Sequence, residues 1–89
     1  MTSDTVSSFY KILKDETNQK ILVLINIHGS LSYTDLLEKS EVISERMLNY
    51  HIKTLDDLLS KNEKNQYILT EKGQIALKTL KENSANKKI

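Results

Sequence analysis

Ser44-Glu45-Arg46-Met47-Leu48-Asn49-Tyr50-His51-Ile52-Lys53-Thr54-Leu55 is the stretch on which the fold turns. Wound as a helix at about 100° per residue, it divides into two faces. Leu48, Ile52 and Leu55 fall on one stripe, and Arg46, Asn49, Tyr50 and Lys53 project from the opposite side. A guanidinium, an amide, a phenol and an ammonium sharing a face can reach base edges and phosphates in a DNA major groove. Working outward, a short helix precedes this one across a tight turn, and a pair of short strands follows it. That order predicts a helix-turn-helix with a hairpin wing, a mainly α fold with a small β component, and it points to DNA.

Upstream, Val6, Phe9, Tyr10 and Leu13 recur at helical spacing and predict a first helix from about Asp4 to Leu13. Asp15 is placed to cap a second helix, Glu16 to about His28, whose run Ile-Leu-Val-Leu-Ile-Asn-Ile surrounds the axis with apolar groups. Such a helix is expected to be buried on several sides. Gly29 is a natural stop in the left-handed conformation. Ser30-Leu31-Ser32 is too short for an independent strand but long enough to pair with a sheet edge. Ser32 opens a capping-box pattern with Asp35, and the helix from Tyr33 to about Lys39 turns Leu36 and Leu37 inward. Residues Ser40 to Ile43 form the turn, and Ser44 caps the next helix.

Downstream, Leu58 to Asn62 and Gln66 to Thr70 alternate as strands, with Leu59, Tyr67 and Leu69 facing the core. Asn62-Glu63-Lys64-Asn65 joins them, asparagine being tolerant of positive φ. Thr70 caps a last helix from Glu71 to about Glu82. The domain is thus expected to span residues 1–82, with 83–89 a frayed polar tail.

At 89 residues the chain has the size of one domain, and 38% apolar with 28% charged residues marks it as globular. Without cysteine there is no disulfide framework and no thiolate metal site. No apolar run approaches the roughly 18–20 residues of a membrane-spanning helix, and the start of the chain has no signal-peptide pattern. The expectation is a soluble, cytoplasmic protein. Thirteen Lys and Arg against twelve Asp and Glu give a net charge of +1. Any electrostatic footprint for nucleic acid must therefore be local.

Four segments carry a resemblance: Leu-Lys-Asp-Glu-Thr-Asn-Gln-Lys-Ile-Leu at 13–22, Leu-Ser-Tyr-Thr-Asp-Leu-Leu at 31–37, Leu-Asn-Tyr-His-Ile-Lys-Thr-Leu at 48–55, and Tyr-Ile-Leu-Thr-Glu-Lys-Gly at 67–73. In that order the chain resembles the ArsR-like winged helix-turn-helix regulators, especially the small single-domain versions common in archaea. The resemblance implies a homodimeric transcriptional regulator that binds double-stranded DNA, with recognition helix 44–58 in the major groove and wing 59–70 on the backbone. It matches Arg46, Asn49, Tyr50 and Lys53 to base- and phosphate-reading positions, and Ser44 and Glu45 to the start of the recognition helix. It also implies dimerisation through the two terminal helices, with Phe9, Ile12, Leu13, Leu77 and Leu80 as contacts. Metal-sensing members of that family use cysteine and histidine clusters, which this sequence lacks, so no metal and no cofactor are expected.

The residues themselves extend the candidate DNA contacts to Lys61, Lys64 and Gln66 on the wing and to Thr34 at the start of the preceding helix. Lysines on an exposed hairpin also serve simply to block edge pairing. Glu45 either accepts from a cytosine amine or strengthens the helix start through the dipole. His51, beside the apolar stripe, reads as a packed, hydrogen-bonded structural residue. His28 falls in the last turn of its helix. Neither histidine has a ligand partner at metal spacing or a nucleophile nearby, and no enzyme is expected. The competing expectation, favoured by the near-neutral charge and by Asp56-Asp57, is a winged helix that docks on other proteins of a transcription-associated complex without reading DNA.

Overall fold

The computed structural model describes the backbone of residues 11–87 and the side chains of 11–82. Most of the expected first helix, Phe9 included, lies outside the described residues. Its end, residues 11–14, is helical and is called α1 here. There follow α2 (Glu16–His28), α3 (Tyr33–Ser40), α4 (Glu45–Thr54), a 3-10 turn (Asp56–Leu58), β1 (Leu59–Lys61), β2 (Tyr67–Leu69) and α5 (Glu71–Lys87). The arrangement is that of a winged helix, mainly helical with one small antiparallel hairpin.

Capping chemistry sets the boundaries. Asp15 accepts from the Asn18 N–H at 3.0 Å, Ser32 from the Asp35 N–H at 3.1 Å, Ser44 from the Met47 N–H at 3.3 Å and Thr70 from the Gly73 N–H at 3.1 Å. Each satisfies an N–H that the helix itself leaves without a partner. Gly29 ends α2 at φ 83° and returns its N–H to the Ile25 carbonyl. The turn between α3 and α4 is closed by Glu41 in the left-handed region at φ 59°.

Strands β1 and β2 pair antiparallel, Leu59 opposite Leu69 and Lys61 opposite Tyr67. Leu31 adds a bridge to Tyr67, exchanging both backbone hydrogen bonds. That ties the segment before α3 to the wing, as the short 30–32 stretch predicted.

The core is aliphatic. Ile21, Leu22 and Ile25 of α2 meet Leu36 of α3, Leu48 and Leu55 at the two ends of α4, Leu58 and Leu59 at the base of the hairpin, and Ala76 and Leu77 of α5. Fully burying one such aliphatic side chain is worth roughly 1.5–3 kcal/mol. Thr70 fastens the start of α5 to the end of the α4 segment. Its N–H bonds the Leu58 carbonyl at 3.0 Å and its hydroxyl bonds the Asp57 carbonyl at 2.8 Å. Gly73 completes that joint, since a Cβ there would stand 2.3 Å from the Leu58 oxygen. Among the described residues no helix is long and apolar enough to cross a membrane.

Three expectations change and one is qualified. Helix α4 stops at Thr54, not at 58, because two carboxylates follow at the negative end of the helix dipole and the chain tightens into a 3-10 turn. The strands are three residues each, shorter than predicted. Helix α2 is buried on several sides, as expected, by α3, β2 and α5, but not all round: Ile27 is 67% exposed and Val23 38%. Among the described residues no further layer covers them. Finally, α5 runs to Lys87 rather than ending at Glu82, there being no glycine or proline after Gly73 to stop it.

Candidate nucleic-acid interface

The buried stripe of α4 orients everything on its other side. Leu48 and Leu55 are fully buried, His51 nearly so and Ile52 half so. Arg46, Asn49, Tyr50 and Lys53 are all exposed, and helix geometry gathers them within an arc of about 100° opposite that stripe. The structure therefore brings the predicted quartet together. Among the described residues neither Arg46 nor Lys53 pairs with a carboxylate, whereas Lys20 does, 2.7 Å from Glu41. Two unpaired cations on one helix face are available to a polyanion.

Asn49 is held from behind. The Tyr33 hydroxyl, at the first residue of α3, donates to Asn49 Oδ1 at 2.7 Å and lies 3.4 Å from the Glu45 carbonyl oxygen. One phenol thus pins the start of α3 to the first two turns of α4, leaving the Asn49 amide nitrogen free to donate outward. Desolvation, then the nearby Glu45 carboxylate and the Tyr67 phenol, raises the Tyr33 pKa above its ordinary value. It keeps its proton, and the clamp holds, throughout the neutral range.

Ser44 caps α4 with its oxygen on the Met47 N–H, and Glu45 stands exposed at the first helical position, where the dipole favours an acid. Thr34 is exposed in the first turn of α3. On the wing, the Lys61 ammonium lies 5.0 Å from the centre of the Tyr67 ring, a cation-π contact that lays the side chain along the hairpin. Lys64 is exposed in the turn. The turn is shaped by Asn62, whose Oδ1 accepts from the backbone N–H groups of Lys64 and Gln66, and by Asn65 at φ 64°. Gln66, expected as a DNA contact, is engaged within the chain through its oxygen. Its side-chain oxygen accepts from Ser30 at 3.2 Å and from Asn62 at 3.3 Å, so the half-buried amide braces the root of the wing.

Of the expected dimer contacts, Leu13 and Leu77 are 4% exposed and already belong to the core. Ile12 and Leu80 are partly buried and retain some free surface. Phe9 lies outside the described residues.

Sequence reasoning missed what steadies α4 from within. Asn18 of α2 is buried, donates to the Ile12 carbonyl at 3.1 Å, and receives His51 Nδ1 at 2.8 Å on its Oδ1. With the amide nitrogen committed to Ile12, the oxygen must accept, so the His51 proton sits on Nδ1. Asp15 Oδ1 lies 3.9 Å from that nitrogen. The Tyr50 ring stands edge-on to the imidazole, with centroids 5.2 Å apart and planes at 79°, which fixes the outward phenol from below. A signal existed. Asn18 shares the stripe of Ile21, Leu22 and Ile25, and His51 borders the stripe of Leu48 and Leu55; polar residues on two core-facing stripes want each other.

The helix pair, its turn and the hairpin define a winged-helix domain with an exposed polar face on its second helix. The family model described as Domain of unknown function (DUF7347) matches residues 6–80, most of the chain, and the chain belongs to that family. No curated protein matches it, and no solved structure does.

Proposed function

We propose that this chain is a sequence-specific double-stranded DNA-binding regulator of the ArsR-like kind, acting as a cytoplasmic homodimer. Helix α4 enters the major groove, and the wing, through Lys61 and Lys64, rests on the phosphate backbone. One observation carries the reading: Arg46, Asn49, Tyr50 and Lys53 stand exposed together on the side of α4 that faces away from the core. Arginine reads guanine with two hydrogen bonds, the Asn49 amide donates to an acceptor such as adenine N7, and lysine neutralises phosphate. The capped start of α4 adds the positive end of a dipole. A two-fold dimer would set two such helices about 34 Å apart on successive major grooves, matching a near-palindromic site. Ile12 and Leu80, with the exposed Ile75 of α5, supply apolar surface for the partner.

The test is selection of bound duplexes from a randomised library by the purified protein, followed by titration against salt. A recurrent half-site with fixed spacing is expected. With few cations available, roughly four to six phosphates are neutralised, giving a logarithmic salt slope near −4 to −5. Failure to retain any duplex at low salt overturns the proposal.

The exposed pair Asp56 and Asp57, just beyond α4, favours a second reading in which the same face docks on a protein of a transcription-associated complex. Under that reading Arg46→Ala with Lys53→Ala abolishes protein association and no duplex is recovered.

A further inference from the structure

The start of α4 carries two exposed apolar residues that take part in neither local helix-start motif. In a hydrophobic staple the residue just before the cap folds back on the fourth helical residue, and in a capping box the third helical residue is Glu or Gln reaching back to the cap. Here the residue before the cap is Ile43, and it is 93% exposed, while its expected partner, Leu48, is wholly buried in the core. The third helical residue is Met47, 43% exposed, which has no polar group with which to answer Ser44. Neither apolar group helps the helix to form, and neither fills the core. Two neighbouring apolar side chains left in solvent with neither a core nor a capping role are available to a partner's apolar group.

Their placement is informative. Counted around the axis, Met47 and Tyr50 border the edge of the polar arc on the Arg46 side, and Ile43 sits ahead of them at the N-terminal end. Tyr50 is 64% exposed. The outward surface is therefore double: a polar track of Asn49, Lys53 and Arg46, and beside it an apolar lip of Ile43 and Met47. In a helix-turn-helix the N-terminal residues of the second helix come nearest the base edges. The major groove offers them one apolar group, the 5-methyl of thymine.

We infer that Ile43 and Met47 read thymine methyl groups, so that the preferred half-site carries thymine next to the base contacted by Arg46. The inference rests on the DNA-binding reading above and assigns part of its specificity to van der Waals contact rather than hydrogen bonds. The cations on the adjoining track select a polyanion as the occupant of this face.

The experiment compares the duplex recovered by selection with the same duplex synthesised with deoxyuridine for thymine, which removes the methyl groups and keeps every hydrogen-bonding atom. Binding to the purified full chain, followed by fluorescence anisotropy, is expected to weaken about fourfold for each contacted methyl. The double variant Ile43→Ser/Met47→Ala, altered only at exposed positions and so unchanged in melting temperature, is expected to bind both duplexes with a ratio near one. Equal affinity of the unaltered protein for the two duplexes overturns this inference and leaves the DNA reading standing. A double variant that keeps the wild-type ratio also overturns it. If the variant binds both duplexes as the parent does and instead loses association with a protein, the lip belongs to a protein partner. If no duplex is bound at all, the DNA reading falls and this inference with it.

Discussion

Helices α2 and α4 share one core, yet α2 turns aliphatic groups to solvent and α4 turns mostly hydrogen-bonding groups outward. On α2 the side opposite Ile21, Leu22 and Ile25 carries Val23 and Ile27. On α4 the side opposite Leu48 and Leu55 carries Arg46, Asn49, Tyr50 and Lys53. The difference separates two meanings of apolar sequence. In α4 the two-sided pattern states which way the helix faces. In α2 the near-continuous run states only that the helix belongs to the interior, and the packing of α3, β2 and α5 decides which side is covered.

The largest effect should come from testing the two sides of α2. Ile25→Ala removes a fully buried side chain and is expected to destabilise by about 3–4 kcal/mol, whereas Ile27→Ala should change stability by less than about 0.5 kcal/mol. Urea unfolding of the two variants measures the contrast, and equal losses would show that the exposed side is packed after all. On α4 the outward face should behave in the opposite sense. Arg46→Ala with Lys53→Ala is expected to lower affinity for the selected duplex about a hundredfold, or about 3 kcal/mol, with no change in the unfolding midpoint. Loss of folding together with binding would mean that this face is structural.

Next comes the link between the helices. Asn18→Ala leaves the Ile12 carbonyl and the His51 Nδ1–H without their partner. About 2–3 kcal/mol of stability should be lost, with some DNA affinity lost as well because α4 is freed from α2. Calorimetry and anisotropy on the same sample separate the two losses. The smallest effect concerns Lys20 and Glu41, an exposed pair joining α2 to the turn before α4. The hydrogen bond and charge of Lys20 lower the Glu41 pKa. This contribution is present above the ordinary glutamate pKa and fades as pH falls through the lowered value, because the unfolded chain takes up the proton first. Lys20→Met should flatten that small decline in melting temperature, and an unchanged acid limb would remove the pair from the account.

Much of the fold was legible because its punctuation is local. Asp15, Gly29, Ser32, Ser44 and Thr70 each act on backbone groups within four residues, and a window of sequence contains everything such a contact needs. The exposed quartet on α4 was legible for the same reason, since a period of about 3.6 residues fixes a face without knowledge of the neighbours. What escaped depends on distant partners. Gln66 gains its bracing role from Ser30, and His51 and Tyr33 gain definite roles only when Asn18 and Asn49 are beside them. The end of α4 falls short of 58 because Asp56 and Asp57 are carboxylates at the negative end of a helix dipole, a cost that apolar periodicity does not register. Leu13 and Leu77, which the resemblance places at a partner's surface, are buried in the chain's own core, a distinction that a one-dimensional pattern does not make.

The joint at Thr70 and Gly73 has a mechanical consequence. Two hydrogen bonds from Thr70 to the carbonyls of Asp57 and Leu58, and one forbidden Cβ at Gly73, leave almost no play between the start of α5 and the turn before the hairpin. Helix α5 is thus a lever fixed to the 3-10 turn that follows α4. Torque applied along its length would be delivered to that turn, next to the C-terminal end of α4, instead of being absorbed in a slack linker.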